Sequence, residues 1–428
     1  MQEVKHSVTL QTELCMGCTH CIKRCPTEAI RVRNGRAVIK SERCIDCGEC
    51  IRICPNHAKR AKYDKLEKFS GFKYKIALPA PALYGQFDKL DDIDYIISGL
   101  YQCGFDDVYE VSRAAELVSE YTRAYMHRKD IPKPVISSAC PVIVRLISVR
   151  FPSLIDNVLP IIPPVELAAR EAKKEAMAKH PELREEDICA LFISPCPAKV
   201  SYVRTPIGTE KSAVDGVLAI SDIYFSLVSA MNNMDNPEIS SQSGLIGISW
   251  AGSGGESSAL MNDKYLAADG IENCIHVLDE IEKENFIGLE FVELNACNGG
   301  CVGGALTVEN PYMAKARLQT LRRYLPVSLN HIDNRDDPEC DGVIWDTEVS
   351  YSPVTRLASS RSEAARKMVQ IQQIRETLCN LDCGSCGAPT CQALAEDVVN
   401  GEATLDDCII NMKQKIHLVE EKTEESKQ

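Results

Sequence analysis

Residues 15–26 read CMGCTHCIKRCP and residues 44–55 read CIDCGECIRICP, so one pattern of four cysteines and a closing proline occurs twice, about 29 residues apart. Three cysteines at intervals of three wrap one corner of an iron–sulfur cubane, and the fourth, before the proline, points to the other cluster. Two zinc sites are the alternative, but zinc usually takes two CxxC pairs separated by a longer loop. The spacing therefore predicts two [4Fe–4S] clusters, one held by Cys15, Cys18, Cys21 and Cys54 and the other by Cys44, Cys47, Cys50 and Cys25.

The composition around these repeats favours metal binding in a reduced compartment. The chain has 428 residues, 21 cysteines and a formal net charge of −13. It starts without a basic segment followed by an apolar core, and it contains no long apolar run, so we expect a cytoplasmic protein that does not span a membrane. Thiols stay reduced in that compartment, so clustered cysteines indicate metal ligands before disulfides. The acidic excess argues against nucleic acid as the main partner.

The apolar pattern predicts three domains, at residues 1–65, 72–352 and 353–428. In the second, strand-like runs near 74–80, 188–195 and 286–294 alternate with helix-like runs at 110–127, 164–179, 219–233 and 311–324. This alternation predicts an α/β domain with a mostly parallel sheet covered by helices. In the third, helix-like stretches at 356–378 and 404–425 flank a cysteine-rich segment at 379–391, which predicts a small helical domain. These two helices are a possible surface for a homodimer.

Four further cysteines in the second domain stand in unusual local sequences. Cys140 lies in SSACP (137–141), Cys196 in SPCPAK (194–199), and Cys297 and Cys301 in ELNACNGGCVGG (293–304). The prolines stiffen the chain beside the first two, and the glycines allow the backbone around the other two to approach a bulky group closely. Four thiolates suffice for one more [4Fe–4S] cluster. A buried, inert thiol is the alternative for any single one of them.

In order, these three segments resemble the loops that hold the active-site H-cluster of [FeFe]-hydrogenases, which read approximately TSCCP, MPCxxK and ExMACxxGCxxGG. The resemblance covers residues 1–350, and the N-terminal repeats are similar to a bacterial two-cluster ferredoxin domain. It implies reversible oxidation of H₂ and reduction of protons. It implies that a cubane is bound by Cys140, Cys196, Cys297 and Cys301. Cys301 would also bridge to a diiron subsite that carries CO, cyanide and an azadithiolate, with Lys199 and the backbone near Pro81 facing the two cyanides.

The departures from that family pattern concern the proton route. The relay cysteine of the first loop is Ala139 here, which has no titratable group. An alignment places the two relay glutamates of the family at Arg113 and Glu116. The cluster-facing methionines of the family become Ser194 and Asn295, which should change hydrogen bonding at the cluster and its potential. The combination resembles the sensory branches of the family and implies slow turnover, with H₂ or redox sensing as the role.

A third cysteine pattern lies near the C-terminus, at Cys383, Cys386, Cys391 and Cys408. It resembles the small [4Fe–4S] domain of electron-transport subunits and of sensory hydrogenases. Cys379, just upstream, is either a spare ligand or a free thiol. A cluster here would be a second electron port, towards a ferredoxin-like redox protein or a signalling partner. The predicted cofactors are thus three [4Fe–4S] clusters, two N-terminal and one C-terminal, plus the H-cluster.

Four further cysteines and one glycine-rich segment are predicted to have no such role, and one alternative function stays open. Cys103, Cys189, Cys274 and Cys340 have no motif context and are expected to be core or loop thiols. GSGGE at 252–256 lacks the GK[ST] ending of a phosphate loop, so we predict no nucleotide site. The alternative function is an electron-transfer or iron–sulfur assembly module without the diiron subsite. Lys199 and the glycine-rich third loop argue against it, because they have little purpose without cyanide ligands and a bridging thiolate.

Overall fold

The computed structural model describes residues 6–88, 90, 92–332, 342–353, 357–358 and 360–425, and the side chains up to residue 417. The chain forms two compact units. The first consists of residues up to 7, residues 45–48 and residues 62–352, and the second of residues 8–44, residues 49–61 and the chain from residue 353 onward. The cysteine repeats and the C-terminal segment, which were predicted as separate domains, therefore share one unit apart from residues 45–48.

In the described part of the chain, the strands form four small sheets. Their bounds are β1 Val8–Leu10, β2 Ile30–Arg33, β3 Arg36–Ile39, β4 Lys59–Ala61, β5 Tyr74–Pro79, β6 Asp107–Val108, β7 Val135–Ile136, β8 Ile188–Ser194, β9 Gly216–Ala219, β10 Tyr265–Asp269 and β11 Phe291–Asn295. In the first unit, one sheet has the order β6-β5-β8-β9 and another the order β10-β11-β7, and all of their pairings are parallel. In the second unit, β1 pairs with β4 and β2 with β3, both antiparallel. The predicted α/β fold with mostly parallel sheets is confirmed.

The helices lie close to their predicted positions. Their bounds are α1 His20–Lys23, α2 Glu49–Arg52, α3 Pro81–Tyr84, α4 Asp94–Gln102, α5 Val111–Met126, α6 Pro141–Arg150, α7 Pro164–Lys179, α8 Pro197–Arg204, α9 Ile220–Asn232, α10 Leu245–Ser249, α11 Gly255–Ala259, α12 Ile271–Glu282, α13 Pro311–Leu321, α14 Arg361–Glu376, α15 Cys391–Val399 and α16 Ile409–Glu425. The region from α14 to α16 is helical, as expected. None of the helices in the described part of the chain has the length and apolar character needed to cross a membrane.

The central strand β8 explains how the first unit places its chemistry. Every residue of its sequence ICALFIS is buried, as expected for a parallel strand covered on both faces. The strand ends at Ser194, two residues before Cys196, and its neighbour β5 ends at Pro79, two residues before Pro81. In the other sheet, β11 ends two residues before Cys297. Because parallel strands share a direction, the segments after them meet at the carboxyl edge of a sheet, where ligands bind in α/β folds.

One buried carboxylate holds the second unit together. Asp397 on α15 is fully buried, and its oxygens lie 2.6 Å from Arg31 Nε, 2.5 Å from Arg33 Nη2 and 2.8 Å from Lys40 Nζ. Beside it, the Val32 amide donates a 2.7 Å hydrogen bond to the Gly387 carbonyl. A Cβ at Gly387, whose φ is +80°, would overlap the Val32 carbonyl. The C-terminal segment is therefore docked on the β2–β3 hairpin by charge and by close backbone contact.

Candidate metal centres

The first unit contains a cavity at the ends of its strands. It encloses about 970 Å³ of empty space, including its opening to solvent. Four cysteines that were predicted as ligands line it, namely Cys140, Cys196, Cys297 and Cys301. Pro81, Ala139, Lys199 and Asn295 line the same cavity. The structure thus brings together residues from four widely separated segments that the sequence analysis assigned to one site.

The electrostatics of these thiols fit a metal cluster. Burial, and then the neighbouring Cys297 and Cys140, raise the pKa of Cys196 to about 12. Burial and the same kind of neighbours raise the pKa of Cys301 well above its usual range. Converging thiols of this kind cannot all ionise without a cation among them. Iron in a [4Fe–4S] cluster supplies that charge, so the donor set fits the group.

The glycine-rich third loop provides the space that such a group needs. Gly300 has a φ of +90°, and a Cβ there would overlap the Ser253 backbone nitrogen. A Cβ at Gly304 would overlap the carbonyl oxygen of Pro195, the residue before Cys196. Larger residues at these two positions would push the loop away from the cavity. This close packing is the physical reason for the glycines noted in the sequence.

Among the described residues that line the cavity, Lys199 is the only one with a cationic side chain. Burial lowers its pKa, and the thiols of Cys196, Cys140 and Cys301 oppose that effect. Its Nζ also lies 4.9 Å from the centre of the Tyr202 ring, within range of a cation–π contact. An ammonium held in this way can donate a charge-assisted hydrogen bond to an anionic ligand in the cavity.

Two buried carboxylates that the sequence analysis did not select also line the cavity. Glu256 accepts a 2.6 Å hydrogen bond from Ser137 Oγ, and that hydroxyl accepts a 3.2 Å hydrogen bond from the Ala139 amide. Burial, and then the neighbouring Glu293, raise the pKa of Glu256 to about 8. Glu256 belongs to the GSGGE run that was set aside as a false phosphate loop. In the sequence, Glu256 is only a glutamate in a glycine-rich turn. Its position in the cavity could not be predicted without knowing which part of the fold the turn contacts.

Glu293 is the partner of Glu256, and it is held by backbone donors. Its oxygens accept hydrogen bonds from the Gly254 amide at 3.0 Å, the Ser257 amide at 2.8 Å and Asn295 Nδ2 at 2.8 Å. Burial raises the pKa of Glu293, and the two backbone hydrogen bonds oppose that rise. Because a charge on one carboxyl affects the other, the two titrate as a pair and not as independent groups.

The residues aligned with the family's glutamate relay have other contacts. Glu116 accepts hydrogen bonds from the amides of Gly244, Leu329 and Asn330, at 2.5, 2.9 and 2.8 Å. Arg113 pairs with Glu175 at 2.8 Å. Among the described residues that line the cavity, neither Glu116 nor Arg113 is found. Glu116 thus braces two backbone segments, at Gly244 and at residues 329–330, and its place in a proton route stays a prediction.

Ser194 and Asn295, the residues at the two methionine positions, differ in placement. The Ser194 hydroxyl is fully buried, donates to the Cys196 carbonyl and accepts from the Cys196 amide, both at 3.1 Å. It therefore orients the backbone of a predicted ligand. Asn295 lines the cavity and donates to Glu293. The polar group at this second position thus serves the carboxyl pair.

In the second unit, a smaller cavity is lined by the cysteines predicted for the first N-terminal cluster, Cys15, Cys18, Cys21 and Cys54. The Ala37 amide lies 3.4 Å from Cys15 Sγ, and the Ala58 amide 3.3 Å from Cys54 Sγ. Amide donors of this kind stabilise thiolates and cluster sulfurs. The cavity and its donors fit a [4Fe–4S] cluster.

Three of the cysteines predicted for the other N-terminal cluster also belong to this unit. Burial raises the pKa of Cys50, and the nearby Cys44 and Cys25 raise it further. The Ala29 amide lies 3.2 Å from Cys25 Sγ, which repeats the contact made by Ala58 in the other half of the repeat. Cys47 is part of the first unit.

The C-terminal cysteines also converge. Burial raises the pKa of Cys386, and the thiols of Cys383 and Cys408 raise it further. Burial raises the pKa of Cys391 in the same way, with a contribution from Cys379. Cys379 therefore lies close to a predicted ligand, so both of its predicted roles stay open. Of the thiols predicted to be structural, Cys189 and Cys274 are buried and Cys103 is partly buried, whereas Cys340 lies outside the described residues.

Comparison with known proteins gives matches to three family models along the chain. The family described as "Iron only hydrogenase large subunit, C-terminal domain" matches residues 73–254 and 255–305. A "4Fe-4S dicluster domain" matches residues 7–55, and a "Putative Fe-S cluster" segment matches residues 380–410. The last match includes all four of the predicted C-terminal ligands and excludes Cys379.

Similar solved structures include variants of the [FeFe]-hydrogenase HydA1 from Chlamydomonas reinhardtii. One is 16% identical, with a TM-score of 0.47, over 66% of this chain and 95% of that chain. An apo form of the same enzyme is 15% identical, with a TM-score of 0.49, over 68% of this chain and 97% of that chain. The hydrogenase family match spans more than half of the 428 residues. This chain therefore belongs to the iron-only hydrogenase family.

Proposed function

We propose that this protein is a slow, reversible hydrogenase whose role is to sense H₂ or the redox state of the cell. The observation that carries the proposal is one cavity lined by four thiols, one buried ammonium and two buried carboxyls. Cys140, Cys196, Cys297 and Cys301 would hold a cubane there, and Cys301 would bridge to a diiron subsite. When bound, that cofactor supplies the metal site at which H₂ is split heterolytically.

The protein contributes orientation and a largely apolar enclosure. Lys199 would hold an anionic cyanide by a charge-assisted hydrogen bond, and the backbone near Pro81 would face the second cyanide. Ala139, Val111 and Trp250 line the cavity beside these polar groups. Such walls keep bulk water away from the reacting centre and strengthen the contacts made by the few charged groups.

Proton handling in this chain rests on the carboxyl pair. Ala139 has no proton to give, but the Ser137 hydroxyl joins the Ala139 backbone to Glu256 through the two hydrogen bonds described above. The raised pKa of Glu256 keeps it protonated at neutral pH, so it can hold and release a proton near the operating pH. The neighbouring carboxylate of Glu293 favours that protonated state, because it repels a second negative charge on Glu256. Slow turnover is expected because Ala139 provides no titratable group at the position of the relay thiol.

Electrons would reach the site through the two N-terminal clusters and leave towards a ferredoxin-like redox protein or a signalling partner. The C-terminal cysteines would hold the third [4Fe–4S] cluster, and an association of two copies through the C-terminal helices is part of the same hypothesis. The alternative function, an electron-transfer or assembly module without the diiron subsite, predicts iron–sulfur clusters without CO or cyanide.

Infrared spectroscopy after incorporation of a synthetic diiron precursor tests the proposal, alongside an H₂ assay on the same sample. CO and cyanide bands that respond to H₂, with low turnover, are expected. Intact cubanes without such bands would support the alternative function. Ala139→Cys is the matched variant, because it adds the missing thiol without altering the ligands. If Ala139→Cys failed to raise turnover, the missing relay thiol would not be what limits this chain.

A further inference from the structure

Lys59 breaks the symmetry of the cysteine repeat. In the first repeat, the fifth residue after Cys25 is Ile30, and in the second, the fifth residue after Cys54 is Lys59. Both side chains are buried, each with 2% of its surface exposed. Ile30 is part of the apolar core of the second unit, as its chemistry demands. A lysine in the equivalent place puts a charge where the repeat otherwise has a hydrocarbon.

The ammonium of Lys59 has no partner among the described residues. Its Nζ is buried and makes no hydrogen bond in that part of the chain. An isolated buried charge destabilises the folded state strongly unless an anion lies beside it. Surface lysines avoid this cost by reaching into water, and the next residue on β4, Arg60, is exposed. The position of Lys59 therefore calls for an anion that the protein atoms do not supply.

The surroundings of Lys59 indicate which anion that is. Lys59 lines the cavity formed by Cys15, Cys18, Cys21 and Cys54. Its charge also opposes the rise in the pKa of Cys21 that burial causes, and it acts in the same direction on Cys50. The ammonium thus lies within electrostatic reach of both groups of cysteines, and it borders the first of them directly.

We propose that Lys59 is the fixed cationic partner of the iron–sulfur cluster held by Cys15, Cys18, Cys21 and Cys54, and that it raises the reduction potential of this cluster above that of its counterpart. The inference rests on the cluster ligation proposed above. A [4Fe–4S] cluster with four thiolates gains one negative charge when it takes up one electron from a redox partner, and no bond forms or breaks. A buried ammonium stabilises the more negative, reduced form more strongly.

The consequence is a direction for electrons within the repeat. By the repeat's own symmetry, the residue equivalent to Lys59 on the side of Cys25 is the uncharged Ile30. The two clusters therefore have unequal potentials although their ligand sets are alike. An electron shared between them resides on the cluster beside Lys59.

The test is an EPR-monitored redox titration of the full chain with its clusters, in which dithionite is the reductant. The variants are Lys59→Met and, as the matched control, Arg60→Met, which removes the same charge from the exposed neighbour on the same strand. The signal of the cluster in question is identified as the one missing from Cys18→Ala. Its potential should shift to more negative values in Lys59→Met and stay close to wild type in Arg60→Met, because solvent screens an exposed charge.

Equal potentials in wild type and Lys59→Met, or equal shifts in the two variants, would overturn the inference. Iron and sulfide analysis separates this outcome from a failure of the cluster assignment, in which the wild-type chain itself would lack the signal. Lys59→Ile, which restores the residue of the first repeat, is the second variant. If neither substitution allowed the cluster to assemble, Lys59 would be a folding residue and the tuning role would be refuted.

Discussion

Asp397→Asn should release the C-terminal segment from the β2–β3 hairpin. The substitution keeps the shape of the side chain and removes the charge that three cations share at 2.5 to 2.8 Å. Arg31 is almost completely buried, so its guanidinium would be left without its anion. Removing one partner of a buried ion pair costs about 3–5 kcal/mol. At about 1.4 kcal/mol per factor of ten, the local opening equilibrium should rise by about 10² to 10⁴.

The Val32 amide reports this opening directly. It donates to the Gly387 carbonyl, so its hydrogen is protected only while the C-terminal segment is docked. Hydrogen exchange of the intact protein, read at Val32, should therefore accelerate by the factor given above. Glu402→Gln is the control, because Glu402 contacts Lys40 of the same network at 2.7 Å but is 52% exposed. An exposed pair is worth about 1 kcal/mol or less, so exchange should rise less than about tenfold.

Exchange of the Val32 amide at the wild-type rate in Asp397→Asn, or at the same rate in both variants, would refute this role of Asp397. Acid provides a second check on the same carboxylate. Burial alone would raise the pKa of Asp397, but hydrogen bonds from Arg31 and Lys40 outweigh it and lower that pKa. The stabilisation is thus present above the pKa of an unfolded aspartate, about 3.9, and is lost as the pH falls below it.

The remaining predictions concern the large cavity. Glu256→Gln should slow H₂ turnover by about 10² or more with unchanged infrared bands, and turnover equal to wild type would exclude Glu256 from proton transfer. Since the folded pKa of Glu256 is raised to about 8, the wild-type fold should lose stability as the pH rises from about 4.5 to 8, and Glu256→Gln should flatten this melting-temperature profile. Lys199→Met should keep the cubane iron but lose the CO and cyanide bands, and retained bands would argue against a cyanide contact. Gly300→Ala should lower the iron content, because a Cβ overlaps the Ser253 nitrogen, whereas Gly288→Ala, with an equally positive φ but open space around it, should not.

Local spacing explains how much of this protein could be predicted from its sequence. Cysteines three residues apart, such as Cys15 and Cys18, can bind one cluster in almost any fold that turns at that point. Their grouping can therefore be predicted from the local sequence. The buried run of β8 likewise predicts a covered parallel strand, because alternation with helices leaves few other arrangements. The lysine and the glycines of the cavity were found through the same short-range patterns.

Only the tertiary structure decided which distant groups meet. Asp397 and Arg31 are 366 residues apart, and no local pattern pairs them. Glu256 and Glu293 share a cavity because a turn packs against a parallel strand. Glu116 braces the backbone because two remote segments, at Gly244 and at residues 329–330, lie beside it. Burial and pairing depend on what the rest of the chain brings alongside. Ligand spacing is therefore a property of the sequence, whereas charge states and proton carriers are properties of the fold.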